Sequence, residues 1–223
     1  MKKEDSKQVK IIKFIITVIF LLAIFFVPAG TVAWIEAWIF IIFYFLYVGL
    51  GVAWLKKNDP ELLKERMKHK KDAKPWDRFL ILAYVILLIS LIILAGLDAV
   101  RFRWSNVPEV LKIICFIGFL PSTAIIFWAM KENSYLSDVV RIQDERGHQV
   151  CTTGPYRYVR HPMYGGIILL LIFFPLALGS YFALIPALFT IAVFILRTAL
   201  EDKTLIQELA GYDEYTKKFR SGN

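Results

Sequence analysis

Five stretches of the chain run without a charged residue: Phe14 to Val27, Ala37 to Leu55, Phe79 to Leu97, Ile113 to Met130 and Met163 to Leu196. They hold 14, 19, 19, 18 and 34 residues. A helix needs about 20 apolar residues to cross about 30 Å of hydrocarbon, so the first four predict one crossing each. As a single helix the fifth would be about 51 Å long, so it must fold back. Gly179-Ser180 near its middle, with Pro175 and Pro186 on either side, predicts a helical hairpin with arms of roughly 16 residues. That hairpin returns Arg197 to the membrane face from which His161 and Tyr164 depart. The expected fold class is all-α: a polytopic integral membrane helical bundle of four crossings plus a C-terminal helical hairpin. Residues 1–130 form the N-terminal transmembrane part and residues 131–223 a second part made of a polar loop, the hairpin and a C-terminal helix.

The connections refine this picture. Pro28 and Gly30 in a short, nearly uncharged link favour a tight antiparallel pair of the first two helices. Trp34, Trp38 and Trp54 fall near the ends of the second run, where indoles anchor a helix at the interface. From Asn58 to Lys71, within an interfacial segment near 58–75, Pro60 suits a first helical turn. Leu62, Leu63, Arg66 and Met67 there have helical spacing, which predicts an interfacial helix with a basic face. His69 reads as a surface histidine. Pro121 followed by Ser122 and Thr123 predicts a kink whose hydroxyls satisfy freed carbonyls, and Asp98 is expected to mark the outer interface.

A net charge of +8 would suggest nucleic acid in a soluble chain, but 57% of the residues are apolar and the position of the charges decides otherwise. Of 27 Lys and Arg, 24 lie in the N-terminal arm, residues 56–78, residues 131–160 and the tail from Arg197. With the N-terminus in the cytosol all of these face the cytosol, as does the C-terminus, so the charge reports topology in an integral, multi-pass protein of the lipid bilayer. Nucleic acid is not an expected partner. Cys115 and Cys151 make no disulfide framework and no zinc-like spacing, so no metal is expected. The basic start followed by an apolar stretch reads as a retained anchor rather than a cleaved signal.

The chemistry concentrates between Asn133 and Tyr164, the long polar stretch between membrane runs. Gly154-Pro155 makes a turn and Pro162 opens a helix, so His161 to Tyr164 sit at a helix N-terminus. Free amides and the helix dipole there favour an anion such as a cofactor carboxylate, with Arg160 alongside. Arg197 and Glu201, four residues apart, share one helix face at the far end of the hairpin. By itself that pair reads equally as a helix-end ion pair, but ionisable groups beside a bilayer and opposite a second polar cluster point to a site.

The stretch Gln143 to Tyr156, continuing through Arg160-His161-Pro162-Met163-Tyr164, resembles the signature of the isoprenylcysteine carboxyl methyltransferases and their phospholipid methyltransferase relatives. So does Arg197 with Glu201-Asp202, followed by Gly211-Tyr212-Asp213-Glu214-Tyr215. The resemblance covers about the last 90 residues and implies a membrane-embedded transfer of a methyl group from S-adenosylmethionine to a lipophilic acceptor, a prenylated cysteine or a lipid. It implies a cytosolic-face cofactor pocket contacted by Gln143, His148, Gln149, Val150, Cys151, Tyr156, His161, Pro162, Met163, Tyr164 and Glu201. Arg197 is the implied substrate contact, and Arg197 and Glu201 are the implied catalytic pair. Where the family has two glutamates this chain has Glu201-Asp202, one methylene shorter at the second position. In-line displacement at a sulfonium needs alignment and desolvation, not a covalent intermediate, and an ionised carboxylate acceptor needs no base. An amine acceptor would need Glu201, His161 or a held water as base. A phospholipid or small-lipophile N-methyltransferase, a sterol-type membrane reductase and a non-catalytic membrane transporter remain open at this point.

Overall fold

The computed structural model describes residues 7–67 and 73–220. Lys2, Lys3, His69, Lys70 and Lys71 of the basic segments lie outside the described residues. Those described are all helical or irregular, with no strand among them. The helices are α1 Lys7–Ala29, α2 Ile35–Asn58, α3 Pro60–Met67, α4 Pro75–Gly96, α5 Glu109–Glu132, α6 Pro162–Ala177, α7 Leu184–Glu208 and α8 Tyr212–Arg220. A π-helical turn, Leu97–Phe102, extends α4. Five helices are long and apolar enough to cross a membrane: α1, α2, α4 with its π turn, α5 and α7. α6, at 16 residues, is shorter.

The chain folds back where the sequence indicates. Gly179 has φ +86°, a conformation a side chain resists, and with Ser180 it closes the turn between α6 and α7. The first arm has the expected length; the second does not stop at Leu196 but runs 25 residues to Glu208. Absence of charge marks where the lipid ends, whereas nothing in Arg197 to Glu208 breaks a helix before Gly211. The extra turns carry Glu201 and Asp202 past the apolar layer.

Aromatic rings join the helices at the centre. Phe40 of α2 stacks on Phe174 of α6 at 4.2 Å and meets Phe25 of α1 at 5.6 Å and Phe119 of α5 at 6.1 Å. α5 and α6 pack closely, and small residues permit it. A Cβ on Gly166 would lie 2.7 Å from the Ser122 carbonyl oxygen, and one on Gly118 would meet the Phe173 ring at 2.6 Å. α5 continues through Pro121, and the Ser122 and Thr123 hydroxyls donate to the carbonyls of Gly118 and Phe119 at 2.7 Å each.

Three sequence expectations gain detail. Trp34, near the end of the second run, is buried against Phe25 of α1. Asp98 is fully buried within the protein: its Oδ2 accepts hydrogen bonds from Ser105, Ser180 and the Phe182 amide, which pins the hairpin turn to the end of α4. α3 is less a basic surface helix than a clamp. Asp59 Oδ1 caps it by accepting from the Leu62 amide at 2.9 Å, and Leu62 is fully buried beside Leu55 and Met130. Glu65 accepts from Arg141 Nε at 3.0 Å, and Arg66 Nη2 lies 2.7 Å from Asp138. α3 is thereby fastened to the polar loop between α5 and α6.

Candidate functional site

The loop from Asn133 to His161 has no regular secondary structure beyond two 3-10 turns, so its shape rests on side-chain bonds. Gln143, fully buried, is its strut. It donates from Nε2 to the Tyr135 carbonyl at 2.6 Å and accepts from Arg146 Nη1 at 2.6 Å. The Tyr135 hydroxyl donates to the Gly147 carbonyl at 3.0 Å, and the Tyr135 ring packs on His148 at 4.7 Å. Asp77, in the first turn of α4, holds the loop from below by accepting from the Val140 amide at 2.7 Å.

Loop, hairpin and C-terminal helix together line a partly open cleft. His148, Gln149, Val150 and Cys151 line one side, and Tyr156, His161, Pro162, Met163 and Tyr164 line the floor around the start of α6. Glu201 and Leu205 of α7 face them, and Tyr212 and Tyr215 of α8 close the remaining wall. Ten of the eleven residues the sequence associates with a cofactor are therefore on one surface. The exception is Gln143, which stands behind the wall and shapes it.

Two polar networks meet at the α6–α7 junction. In the first, Arg197 donates from Nε to Asp77 Oδ1 at 2.7 Å, from Nη2 to Asp77 Oδ2 at 3.3 Å and to the Asp138 carbonyl at 2.9 Å. Its Nη1 donates to the Tyr164 hydroxyl at 2.8 Å, and that hydroxyl gives its own proton to Glu201 Oε2 at 2.5 Å. Four of the five guanidinium N–H groups are thus engaged, and Arg197 is 5% exposed. In the second network Asp202 bonds His161 Nε2 at 2.8 Å, accepts from the Tyr212 hydroxyl at 2.6 Å and pairs with Arg160 at 2.6 Å. The Asp202 side chain thus orients the histidine, the arginine and α8 at once. His161 and Tyr164 lie parallel, their centroids 5.5 Å apart, with His161 Nδ1 4.0 Å from Glu201.

Burial shapes the acid–base character outside the membrane segments. It pushes the Tyr215 phenol up to about 12 and holds Tyr156 and Tyr212 well above the ordinary phenol value, the latter helped by its bond to the Asp202 carboxylate. All three are neutral phenols; Tyr212 and Tyr215 donate, to Asp202 and the Tyr156 carbonyl, and the Tyr156 hydroxyl accepts from Asn133 Nδ2. Burial lowers His148 below the ordinary imidazole value, which keeps it uncharged at neutral pH.

Asp77 and the wall from α8 are what sequence reasoning missed or left as flanking signature. A buried partner for Arg197 lies 120 residues away, beyond any helical spacing. Tyr212 and Tyr215 are three apart on α8 and share a face, a signal the sequence does carry. The donor set suits one kind of guest: an amino acid zwitterion attached to a flat apolar ring. No side chain caps α6, so its first amides, with Arg160, suit a carboxylate, while Glu201 suits an ammonium. Tyr135, Val150, Leu205, Leu209 and Tyr215 suit the ring.

The profile of the isoprenylcysteine carboxyl methyltransferase (ICMT) family matches residues 113–207, from early α5 to the penultimate residue of α7. No curated protein matches the chain.

Proposed function

We propose, from the match of residues 113–207 to the profile of the isoprenylcysteine carboxyl methyltransferase family, a family of membrane methyltransferases, that the protein is an S-adenosylmethionine-dependent carboxyl O-methyltransferase of the prenylcysteine type. The observation that carries the reading is the convergence of the loop wall from His148 to Cys151, the uncapped start of α6 and Glu201 on one cleft. S-adenosylmethionine, when bound, supplies an electrophilic methyl group on a sulfonium.

Glu201 would hold the ammonium of the methyl donor's amino acid part, and the Met163 and Tyr164 amides with Arg160 would hold its carboxylate. The loop residues Gln149 and Val150 with Tyr156 and Tyr215 would line the nucleoside. Asp202 keeps His161 and Arg160 in place for this work. Arg197, through the one guanidinium N–H not engaged within the protein, and the Tyr164 hydroxyl would orient an acceptor carboxylate. A carboxylate is ionised at neutral pH, so alignment and exclusion of water suffice and no residue has to take a proton. The apolar groups next to Tyr164, among them Tyr84, Leu88, Ile167 and Phe194, suit a hydrocarbon tail entering from the bilayer. The cleft shares its end of the bundle with the basic segments, which supports a cytosolic cleft, cytosolic termini and α6–α7 as a re-crossing hairpin.

The test is methyl transfer from methyl-labelled S-adenosylmethionine to a farnesylated N-acylcysteine, using membranes that contain the protein. Label that base releases as methanol, absent from control membranes, is the expected result. Label that resists base but enters lipid amines points to N-methylation, and no transfer to either acceptor contradicts the proposal.

A further inference from the structure

Arg197 and Glu201 stand at the i and i+4 positions of α7, the spacing at which a helix ordinarily forms an ion pair. Among the described residues they form none. Arg197 turns the other way, to Asp77 of α4, and the Tyr164 hydroxyl stands between it and Glu201. Asp77 is suited to win this competition: it is fully buried, it binds the guanidinium through both oxygens, and the Val140 amide holds it in place. Glu201 keeps one hydrogen bond, from Tyr164, and its side chain is 21% exposed on the cleft.

We propose that Asp77 is a positioning residue that sequesters Arg197 from Glu201, so that the Glu201 carboxylate stays available for a cationic group in the cleft. Asp77 lies outside the segment matched to the family and does not line the cleft. Its influence reaches the cleft through Arg197 and through the Val140 amide that it also holds, and only the first route touches the charge on Glu201. With Asp77 neutral, Arg197 is released onto Glu201, the two charges cancel, and the cleft loses its site for an ammonium. The same step removes the donor that fixes the direction of the Tyr164 proton.

The inference rests on the proposed cofactor reading, and the experiment separates the two. S-adenosylhomocysteine is titrated by calorimetry into the detergent-purified wild type, Asp77→Asn, and Asp77→Asn combined with Arg197→Met. The Asn variant is expected to bind about tenfold more weakly than wild type, and the double variant to bind more tightly than the Asn variant, because no cation remains to occupy Glu201. A merely structural Asp77 gives a double variant no better than the single one, and that result overturns the proposal, as does an Asn variant that binds like wild type. If the wild type itself does not bind, the cofactor reading fails. A structure of Asp77→Asn then decides the inference alone: Arg197 within ion-pair distance of Glu201 supports it, and Arg197 still directed at residue 77 overturns it.

Discussion

Helix α4 buries a carboxylate at each end, and the two are used differently. Asp98, just past its C-terminal end, is met by neutral donors, the hydroxyls of Ser105 and Ser180 and the Phe182 amide. Asp77, in its first turn, is met by a guanidinium. The Asp98 network gathers on one oxygen, Oδ2, and ties the hairpin turn to α4, while Oδ1 is buried with no hydrogen-bond partner among the described residues. The Asp77 network passes through Arg197 and Tyr164 and ends on Glu201, which faces a cleft. A buried acid whose partners are all neutral and local holds a turn, whereas one whose chain of partners ends on an accessible charge prepares a binding site. The difference lies in where the hydrogen-bond chain ends, since both carboxylates are fully buried.

Substitutions at the two ends should therefore separate binding from stability. The largest effect is expected from Glu201→Gln, which keeps the shape of the cleft but removes its charge for an ammonium. S-adenosylhomocysteine affinity should fall by about a hundredfold or more while the melting temperature stays close to wild type. Asp98→Ala should do the reverse. It strands three donors and costs about 2 kcal/mol of stability, read as a lower melting temperature in detergent, with affinity within about twofold of wild type.

Smaller effects sharpen the comparison at the cleft end. Tyr215→Phe removes the hydroxyl that donates to the Tyr156 carbonyl at 2.7 Å and so loosens α8. About 1 kcal/mol is expected, seen as a severalfold faster dissociation of S-adenosylhomocysteine in a filter-binding chase. The smallest effect concerns pH. Because burial lowers His148 below its unfolded value, the unfolded chain binds the proton more readily, so this contribution is complete above about pH 6.5 and is lost as pH falls toward the folded value. His148 Nδ1 accepts from the Gln143 amide at 3.4 Å, a bond that protonation removes. Melting curves between pH 7.5 and 5 should show this decline in wild type and less of it in His148→Gln.

The sequence reveals the architecture where it depends on lipid. The uncharged runs become α1, α2, α4 and α5, and Gly179-Ser180 becomes the turn of the hairpin. It reveals the cleft lining where local chemistry is involved, as with Pro162 opening α6 below His161 to Tyr164. It does not show which polar groups are spent on one another. Arg197 shows no buried partner until Asp77 is seen beside it, and Asp98 shows no donors until Ser105 and Ser180 are seen at its Oδ2. Such pairings come from helix packing between segments far apart in the chain, where no periodicity reports. Asp202 is similar: one methylene short of the glutamate in the resembling family, it still reaches His161, Tyr212 and Arg160, because α6, α7 and α8 converge on it.

The most direct test of the cleft is calorimetric titration of the purified wild-type protein with S-adenosylhomocysteine. One saturable site per chain, competed by S-adenosylmethionine, is the predicted result. A folded protein that takes up neither compound would contradict the assignment of the cleft as a methyl-donor site.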